Sequence, residues 1–340
     1  MATNKYGVGS TGAATLSGFH QEEEELRDNI AKWLGFEKAL TFSSGYQLNV
    51  GIYKQLIAMV KTKACNLPIT IWLDKNCHAS HIDGIMLAKA KFVTFSEESI
   101  ENVFTKIKTE NNELHIILTE GVFSMDGTCT YLERIITFKK ENLHGNIMLI
   151  IDDAHGLGVT GFLGRGTCSH LDLAQIDLLI GTLGKAFATH GGFVCGKSDL
   201  LNYLEQTVRS GMYSTCLPPA IFAASNQSLA IIRSSIGEEL RQILSNNIRD
   251  FQVLASQYKL PLHNLSHNLS PIQLLVFDNP DIVYRLHEEL LAKDIMVGRI
   301  VYPTVSINTP RIRISLTAKH TFWHLQLLCE SLSNILMRVN

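Results

Sequence analysis

The sequence has little net charge. Its 340 residues include 30 Lys and Arg against 32 Asp and Glu, which gives a formal charge of −2. No basic stripe runs along the chain, so the composition argues against nucleic acid or an anionic membrane surface as a partner. The one run of like charge, at 22–25, precedes apolar residues at helical spacing. We interpret it as the solvated first turn of a helix.

Cysteine pairs and long apolar runs are also missing. The cysteines are scattered without a CxxC pair, which favours reduced thiols over a disulfide framework. They stand at positions 65, 77, 129, 168, 195, 216 and 329. No run reaches the roughly 18 apolar residues of a membrane helix, and the N-terminus has no signal core. These absences predict a cytoplasmic protein.

Short apolar runs alternate with helical patterns along most of the chain. Hydrophobic residues make up 46% of the sequence, enough to bury a large core. A glycine-rich loop at 7–18 and a helix that ends at Gly35 come first. The apolar runs then predict strands at 38–42, 70–74, 114–120, 146–152, 176–182 and 192–195. This alternation predicts an α/β fold with a mostly parallel, doubly wound sheet.

The pattern changes after a long helical stretch at about 219–258. Strand patterns at 272–277, 295–297 and 311–316 are interleaved with helices near 281–292 and from about 320. This region predicts a smaller α+β domain. We therefore expect three parts, a glycine-rich N-terminal segment, a large α/β domain and a small domain, over 1–24, 25–235 and 236–340.

The strand predicted at 146–152 ends in an acid that stability alone does not explain. Asp152 closes a run of aliphatic residues suited to the middle of a covered parallel sheet. A carboxylate that leaves water needs a partner, and open α/β sheets bind ligands at the carboxyl ends of their strands. Asp152 and His155 are therefore candidate site residues. A structural role in the core is the alternative for His155.

Lys185 follows the strand predicted at 176–182. We expect apolar surroundings there, which would free the amine to act as nucleophile and base. A surface lysine is the alternative. Lys185 and Asp152 together indicate pyridoxal phosphate, because that cofactor needs a lysine for a Schiff base and an acid beside its pyridine nitrogen.

Two further features concern a phosphate and a metal. Gly45 and Tyr46 lie in a Ser-Gly turn that opens a helix, where backbone N–H groups and the helix dipole favour an anion. Simple N-capping explains the same turn equally well. His78 and His81 invite a metal interpretation. No third and fourth ligands stand at zinc-like spacing, so we predict no metal.

Five sequence motifs occur in a fixed order. They are EGVFSMDG at 120–127, DDAHG at 152–156, TLGK at 182–185, YSTCLPP at 213–219 and RIRISLTAKHT at 311–321. Together they resemble the α-oxoamine synthases, which are pyridoxal-phosphate enzymes of the aspartate-aminotransferase fold (fold type I). The resemblance covers nearly the whole chain.

The resemblance implies roles for the residues that surround the cofactor ring. Lys185 is the Schiff-base lysine, and Asp152 pairs with the pyridine nitrogen. His155, together with Ser124, hydrogen-bonds the phenolic oxygen. His78 stacks on the pyridine ring. The resemblance therefore implies that the catalytic residues are Lys185, His78, Asp152 and His155.

The resemblance also assigns residues to the phosphate and the substrate. Contacts with the cofactor or its phosphate fall to Gly45, Tyr46 and Thr182. Thr215 reaches the phosphate of the neighbouring subunit's cofactor, which implies a homodimer with shared active sites. Arg313 binds the amino-acid carboxylate through its bidentate fork. Arg311 faces the same side of the strand by alternation, so only the alignment chooses between the two arginines.

Within the family, the sequences of three motifs most resemble those of enzymes of biotin biosynthesis. The three motifs are EGVFSMDG, YSTCLPP and RIRISLTAKHT. Those enzymes join L-alanine to a pimeloyl thioester carried by coenzyme A or acyl carrier protein. One alternative is another α-oxoamine synthase, of the glycine C-acetyltransferase or 5-aminolevulinate synthase type, that uses glycine or serine. The other alternative is an impaired, non-catalytic relative that acts as a partner subunit.

The chain departs from the family pattern in three places. The family carries a segment with an Asn-Asp-Tyr-Leu-Gly motif before the glycine-rich loop, and Met1 falls just before that loop here. We expect either a naturally short enzyme or one that has lost the segment, and in both cases acyl-chain binding is the function affected. The family's Gly-Ser-Gly-Gly-Ser run reads Gly-Ser-Thr-Gly-Ala at 9–13. A family histidine corresponds to Glu23. None of these departures touches Lys185, Asp152 or His155, so we expect cofactor binding to survive.

Overall fold

The computed structural model describes residues 2–63, 67–110, 112–142, 146–263 and 270–338. Cys65 lies outside the described residues. The chain forms two compact units. The first comprises Met1–Val122 and Thr130–Gly237, and the second comprises Phe123–Cys129 and Glu238–Asn340. Ser124 therefore belongs to the second unit.

The first unit is built on one seven-stranded sheet. Its strands are β1 Lys38–Phe42, β2 Ile69–Asp74, β3 Phe92–Phe95, β4 Leu114–Glu120, β5 Asn146–Asp152, β6 Leu178–Thr182 and β7 Gly192–Gly196. The order across the sheet is β1-β7-β6-β5-β4-β2-β3. The pairs from β6 to β3 are parallel, whereas β7 runs antiparallel to both of its neighbours. The predicted α/β class is confirmed, and β3 is a strand that the sequence analysis missed.

Helices cover both faces of this sheet. They are α1 Ala2–Tyr6, α2 Gln21–Leu34, α3 Gly45–Lys63, α4 Ala79–Leu87, α5 Ile100–Thr109, α6 Leu132–Glu141, α7 Ser198–Thr207, α8 Arg209–Met212 and α9 Pro219–Ile232, with 3₁₀ turns at Glu97–Ser99, Phe162–Gly164 and Leu173–Gln175. Leu149 and Ile151 of β5 point into one apolar cluster and Ile150 into the other, as strand alternation requires. The central strand is thus buried on both faces, as its composition predicted.

The N-terminal region differs from its prediction in two places. Residues 7–18 are not loop throughout, because Ala14–Gly18 form a π-helical turn in which Gly18 N–H donates to Ala13 O at 2.9 Å. Glycine is required there, since a Cβ at Gly18 would lie 2.0 Å from Gly12 O. Within the acidic run, Glu23 is buried and pairs with Arg27 at 2.7 Å, so the interpretation of that turn as solvated is wrong for Glu23.

Two helix predictions can be compared with the structure, the helix that ends at Gly35 and the single helix at about 219–258. α2 ends as predicted, because Gly35 has φ 79° and its N–H donates to Ala31 O at 2.9 Å. The stretch predicted as one helix at about 219–258 is two helices, α9 and α10 Ser235–Gln257. At the break, the Ser234 hydroxyl donates to Ile231 O at 2.8 Å, which closes the first helix.

The second unit contains a three-stranded antiparallel sheet. Its further elements are β8 Ile272–Val276, α11 Pro280–Leu291, β9 Gly298–Ile300, β10 Arg311–Ser315 and α12 Phe322–Leu336, with β10 between β8 and β9. The strand predicted at 295–297 is wrong. Ile295 N–H donates to Leu290 O at 3.0 Å, so these residues close the turn after α11. None of the described helices is long and apolar enough to cross a membrane.

Candidate active site

Three neighbouring strands end together at the carboxyl edge of the first unit's sheet. Glu120 ends β4 and lies directly opposite Asp152, which ends β5. Thr182 ends β6 and pairs with Gly192 at the start of β7. This edge is where open α/β sheets bind ligands. The predicted residue Asp152 therefore lies next to Glu120, which the sequence analysis did not select, and the predicted residue Thr182 ends the strand on the other side of β5.

Asp152 is 6% exposed and is held by several donors. Oδ1 accepts the N–H of Ala154 at 3.0 Å, and Oδ2 accepts Nδ2 of Asn49 at 3.2 Å and lies 3.0 Å from Nε2 of His81. Burial alone would raise the pKa of Asp152. The hydrogen bond from His81 and the charge of Lys185 outweigh it and hold that pKa below its usual range. Asp152 is therefore a stable buried anion.

His81 is fully buried between Asp152 and Tyr53. Its Nδ1 lies 2.6 Å from the Tyr53 hydroxyl. The sequence analysis considered His81 only as a metal ligand. The His-x-x-His spacing is the sequence feature that could have placed His81 at this site. His78 caps α4, with Nδ1 accepting the Ser80 N–H at 3.3 Å, so a histidine three residues later lies one turn inside the helix. No group of three His, Cys, Asp or Glu in the described residues could hold a metal ion.

Glu120 and His78 form a second pair at this edge. The backbone N–H of His78 donates to Oε1 of Glu120 at 2.5 Å. Burial raises the pKa of Glu120 well above its usual value, and the charge of Asp152 acts in the same direction. Desolvation lowers the pKa of His78. The surroundings of this edge thus disfavour the charged forms of both Glu120 and His78, whereas Asp152 is stabilised as an anion.

Lys185 lies in the exposed loop that follows β6. Gly184, Lys185 and Ala186 are all exposed, so the prediction that apolar groups surround Lys185 is wrong. Backbone bonds fix the loop, with Leu183 N–H donating to Gly191 O at 2.9 Å. The positive charge of Lys185 acts on the pKa of Asp152, which places the amine at the same edge of the sheet.

His155 is half-buried in the turn that Asp153 anchors. Oδ2 of Asp153 accepts the Thr167 N–H at 2.8 Å, and burial raises the pKa of Asp153 to about 7. Three glycines crowd this carboxyl group. A Cβ would lie 2.0 Å, 2.1 Å and 2.0 Å from an Asp153 oxygen at Gly121, Gly156 and Gly166. Asp153, which had no predicted role, thus ties the loop of His155 to the end of β4.

The start of α3 meets the end of β6. A Cβ at Gly192 would lie 2.6 Å from the N atom of Gly45, and Gly192 pairs with Thr182. A Cβ at Gly45 meets nothing within 4 Å, so the first turn of this helix faces open space. Tyr46 is exposed, and its hydroxyl donates to Asp83 at 2.7 Å. Gly45, Tyr46 and Thr182 are thus neighbours around a helix N-terminus that suits an anion.

Thr215 lies elsewhere in the first unit. It is exposed, and the Ser43 hydroxyl donates to its carbonyl oxygen at 3.5 Å. Thr215, Glu23 and Arg27 line a cavity of about 430 Å³. The contact predicted between Thr215 and a neighbouring subunit's cofactor stays a prediction.

Ser124 and Arg313 come together within the second unit. Nε of Arg313 donates to Ser124 O at 2.9 Å, and burial lowers the pKa of this half-buried arginine. Arg311 is buried and pairs with Asp126 at 2.7 Å. Arg313 forms no ion pair with a carboxylate of the described residues, so it is the better suited of the two arginines to a substrate carboxylate.

Comparison with known proteins places this arrangement in a family. A model of aminotransferase class I and II matches residues 2–332. The chain belongs to the aminotransferase class I and II family. An 8-amino-7-oxononanoate synthase from Photorhabdus laumondii is 37% identical over 328 residues, which cover 96% of this chain and 81% of that protein.

Solved structures of the aminotransferase fold are similar over the same length. An 8-amino-7-oxononanoate synthase from Francisella tularensis has a TM-score of 0.81 at 30% identity, with 99% of this chain and 91% of that chain covered. A serine palmitoyltransferase variant from S. paucimobilis with bound PLP and myriocin has a TM-score of 0.89 at 25% identity, with 99% and 82% covered. The predicted fold type is thereby confirmed.

In this chain, Gly156→Ala is expected to destabilise the first unit. The φ of Gly156 is not in the left-handed region, so a glycine is required there only because a Cβ would overlap Asp153. Overpacking of this kind costs about 1–3 kcal/mol. The midpoint of urea unfolding measures the effect, with Gly9→Ala as control because a Cβ there meets nothing within 4 Å. Equal midpoints for both variants would contradict the crowding around Asp153.

Proposed function

We propose that this chain is an 8-amino-7-oxononanoate synthase. In that reaction pyridoxal phosphate serves as cofactor, L-alanine is joined to a pimeloyl thioester, and carbon dioxide and the thiol carrier are released. Relatives of that name, 31% to 37% identical over nearly the whole chain, support the proposal. Within the site, the observation that carries it is the buried Asp152 anion beside the amine of Lys185.

The residues at the sheet edge fit pyridoxal phosphate. The Asp152 anion suits a protonated pyridine nitrogen, the open start of α3 at Gly45 suits the phosphate, and the exposed amine of Lys185 suits the aldehyde. When bound, this cofactor stabilises a carbanion at the amino-acid Cα by delocalising its electrons into the ring. We assign ring stacking to His78 and contacts with the phenolic oxygen to His155 and Ser124.

The chain's own residues divide the remaining work. Lys185 holds the cofactor at rest and then moves the Cα proton of the amino acid, a task that its exposed position allows. Asp152 keeps the ring nitrogen protonated because its own charge is stabilised. Arg313 binds the substrate carboxylate, since Arg311 is already paired with Asp126.

We propose further that the protein acts as a homodimer in the cytoplasm. Thr215 would contact the cofactor of the neighbouring subunit. The structure shows no disulfide among the six cysteines within the described residues, which suits a reducing compartment.

A product assay tests the proposed function. Purified protein loaded with pyridoxal phosphate is given L-alanine, glycine or L-serine with pimeloyl-CoA, pimeloyl-acyl carrier protein or a long-chain acyl-CoA, and products are identified by mass. We expect 8-amino-7-oxononanoate from L-alanine only. Product from L-serine with a long-chain acyl-CoA would instead indicate a serine palmitoyltransferase, which the TM-score of 0.89 makes the second candidate. Binding of the cofactor without any product would indicate an impaired relative.

A further inference from the structure

A continuous line of hydrogen bonds runs from α3 through α4 to the end of β5. The Tyr53 hydroxyl lies 2.6 Å from Nδ1 of His81, and Nε2 of His81 lies 3.0 Å from Oδ2 of Asp152. We infer that His81 and Tyr53 are positioning residues that hold Asp152 in one orientation and in its charged form. This inference rests on the proposed function, in which Asp152 serves the cofactor nitrogen.

The proton positions along this line follow from its chemistry. A charged Asp152 only accepts hydrogen bonds, so Nε2 of His81 must carry the hydrogen that faces it. In the uncharged form of the ring, Nδ1 is then the acceptor, and the Tyr53 hydroxyl donates to it. Burial raises the pKa of Tyr53 well above its usual value, so the hydroxyl keeps its proton. Each bond therefore has one direction, which fixes the tautomer of His81.

The packing of the two helices supports this arrangement. Tyr53 and His81 are both fully buried. A Cβ at Gly84, three residues after His81, would lie 2.4 Å from Asn49 O and 2.8 Å from a ring carbon of Tyr53. Because Gly84 has no side chain, α4 lies directly against α3, and the rings of His81 and Tyr53 pack edge to face with their centroids 6.0 Å apart.

The charged groups around Asp152 explain why it needs these partners. Glu120 from β4 lies directly opposite in the ladder, and any negative charge there would oppose that of Asp152. Lys185, in the loop after β6, contributes the positive charge. Two side chains from α3 and α4 donate to Asp152. Asn49 is a neutral amide at 3.2 Å, whereas His81 is closer, at 3.0 Å, and its other ring nitrogen is hydrogen-bonded to Tyr53.

Two amide substitutions of His81 distinguish a role in positioning Asp152 from a role in filling space. In His81→Gln the side-chain nitrogen takes the place of Nε2 and still donates to Asp152, whereas in His81→Asn the polar atoms reach only the place of Nδ1. His115→Leu is the matched control, because His115 is equally buried and hydrogen-bonded by Trp72 at 3.2 Å but does not contact Asp152. The full-length chain is titrated with pyridoxal phosphate from acid to neutral pH, and binding is read from the visible absorption band.

The expected results follow from the loss of one hydrogen bond to a charged group. His81→Asn weakens cofactor binding about 10- to 100-fold and moves its acid limit upward by about one to two pH units, because the pKa of Asp152 rises. His81→Gln keeps the affinity within about threefold and keeps the acid limit. Tyr53→Phe leaves the donor to Asp152 in place but frees the tautomer, so its effect lies between those of the two amides.

A loss of stability changes the unfolding midpoint, whereas a loss of positioning changes the acid limit of cofactor binding. His115→Leu should lower the unfolding midpoint without moving the acid limit. Nitrogen NMR of the wild-type chain, labelled at histidine, should show His81 with hydrogen on Nε2. The inference is overturned if His81→Asn and His81→Gln have the same acid limit, or if His81 carries its hydrogen on Nδ1. A chain that binds the cofactor but makes no 8-amino-7-oxononanoate contradicts the proposed function alone.

Discussion

Lys185→Ala is expected to lower the rate of product formation by at least about 10³-fold. In the proposed reaction its amine both holds the cofactor and moves the Cα proton, and no nearby group of the described chain offers a second exposed amine at the end of β6. The loop should keep its shape, because Leu183, Ala188 and Thr189 fix it through backbone hydrogen bonds that alanine preserves. Steady-state rates with L-alanine and pimeloyl-CoA measure the loss.

Lys185→Arg is the matched control for charge. The guanidinium keeps the positive charge beside Asp152 but does not lose its proton, so it serves neither as nucleophile nor as base. We expect this variant to be as slow as Lys185→Ala while its urea midpoint stays close to that of the wild type. If Lys185→Ala kept more than about a tenth of the wild-type rate, the assignment of Lys185 as the proton-moving group would be wrong.

The position of Asp152 at the sheet edge could be predicted because it depends on the local sequence pattern of β5. The residues of β5 are aliphatic on both faces, which only a central, doubly covered strand accommodates, and the acid at its end then points to a ligand. The same holds for Gly35, whose left-handed φ of 79° ends α2 as glycine commonly does. In both cases the physical requirement acts within a few residues of sequence.

The environment of each site residue was not predictable in the same way. Lys185 follows a buried strand, yet the loop that carries it is exposed, because an apolar strand does not determine the burial of the residues after its last hydrogen bond. His81 depends on contacts that are distant in sequence, 28 residues from Tyr53 and 71 from Asp152. Asp153 depends on three glycines, of which Gly121 and Gly166 are distant from it in sequence. Such non-local contacts leave no periodic pattern.

Asp152→Asn is the second large effect that we expect. Asparagine has the same size but no charge, so a protonated ring nitrogen would be left without a buried counterion, and the donors of His81 and Asn49 would face an amide. Removing one partner of a buried ion pair costs about 3–5 kcal/mol, which corresponds to about 10²- to 10⁴-fold in rate or affinity. Cofactor affinity and the steady-state rate should both fall.

The adjacent acid provides the control for this prediction. Asp153→Asn changes a buried carboxyl group one residue away, but the Asp153 carboxylate accepts the N–H of Thr167, whereas the donors of His81 and Asn49 go to Asp152. We therefore expect Asp153→Asn to change cofactor affinity by less than about tenfold while it shifts the urea midpoint. Because the pKa of Asp152 lies below its usual range, the wild-type advantage over Asp152→Asn should hold at neutral pH and disappear only in strong acid, as Asp152 itself takes up a proton. Equal losses from the two variants would mean that the sheet edge responds to general disturbance and that the Asp152 charge has no special part in the reaction.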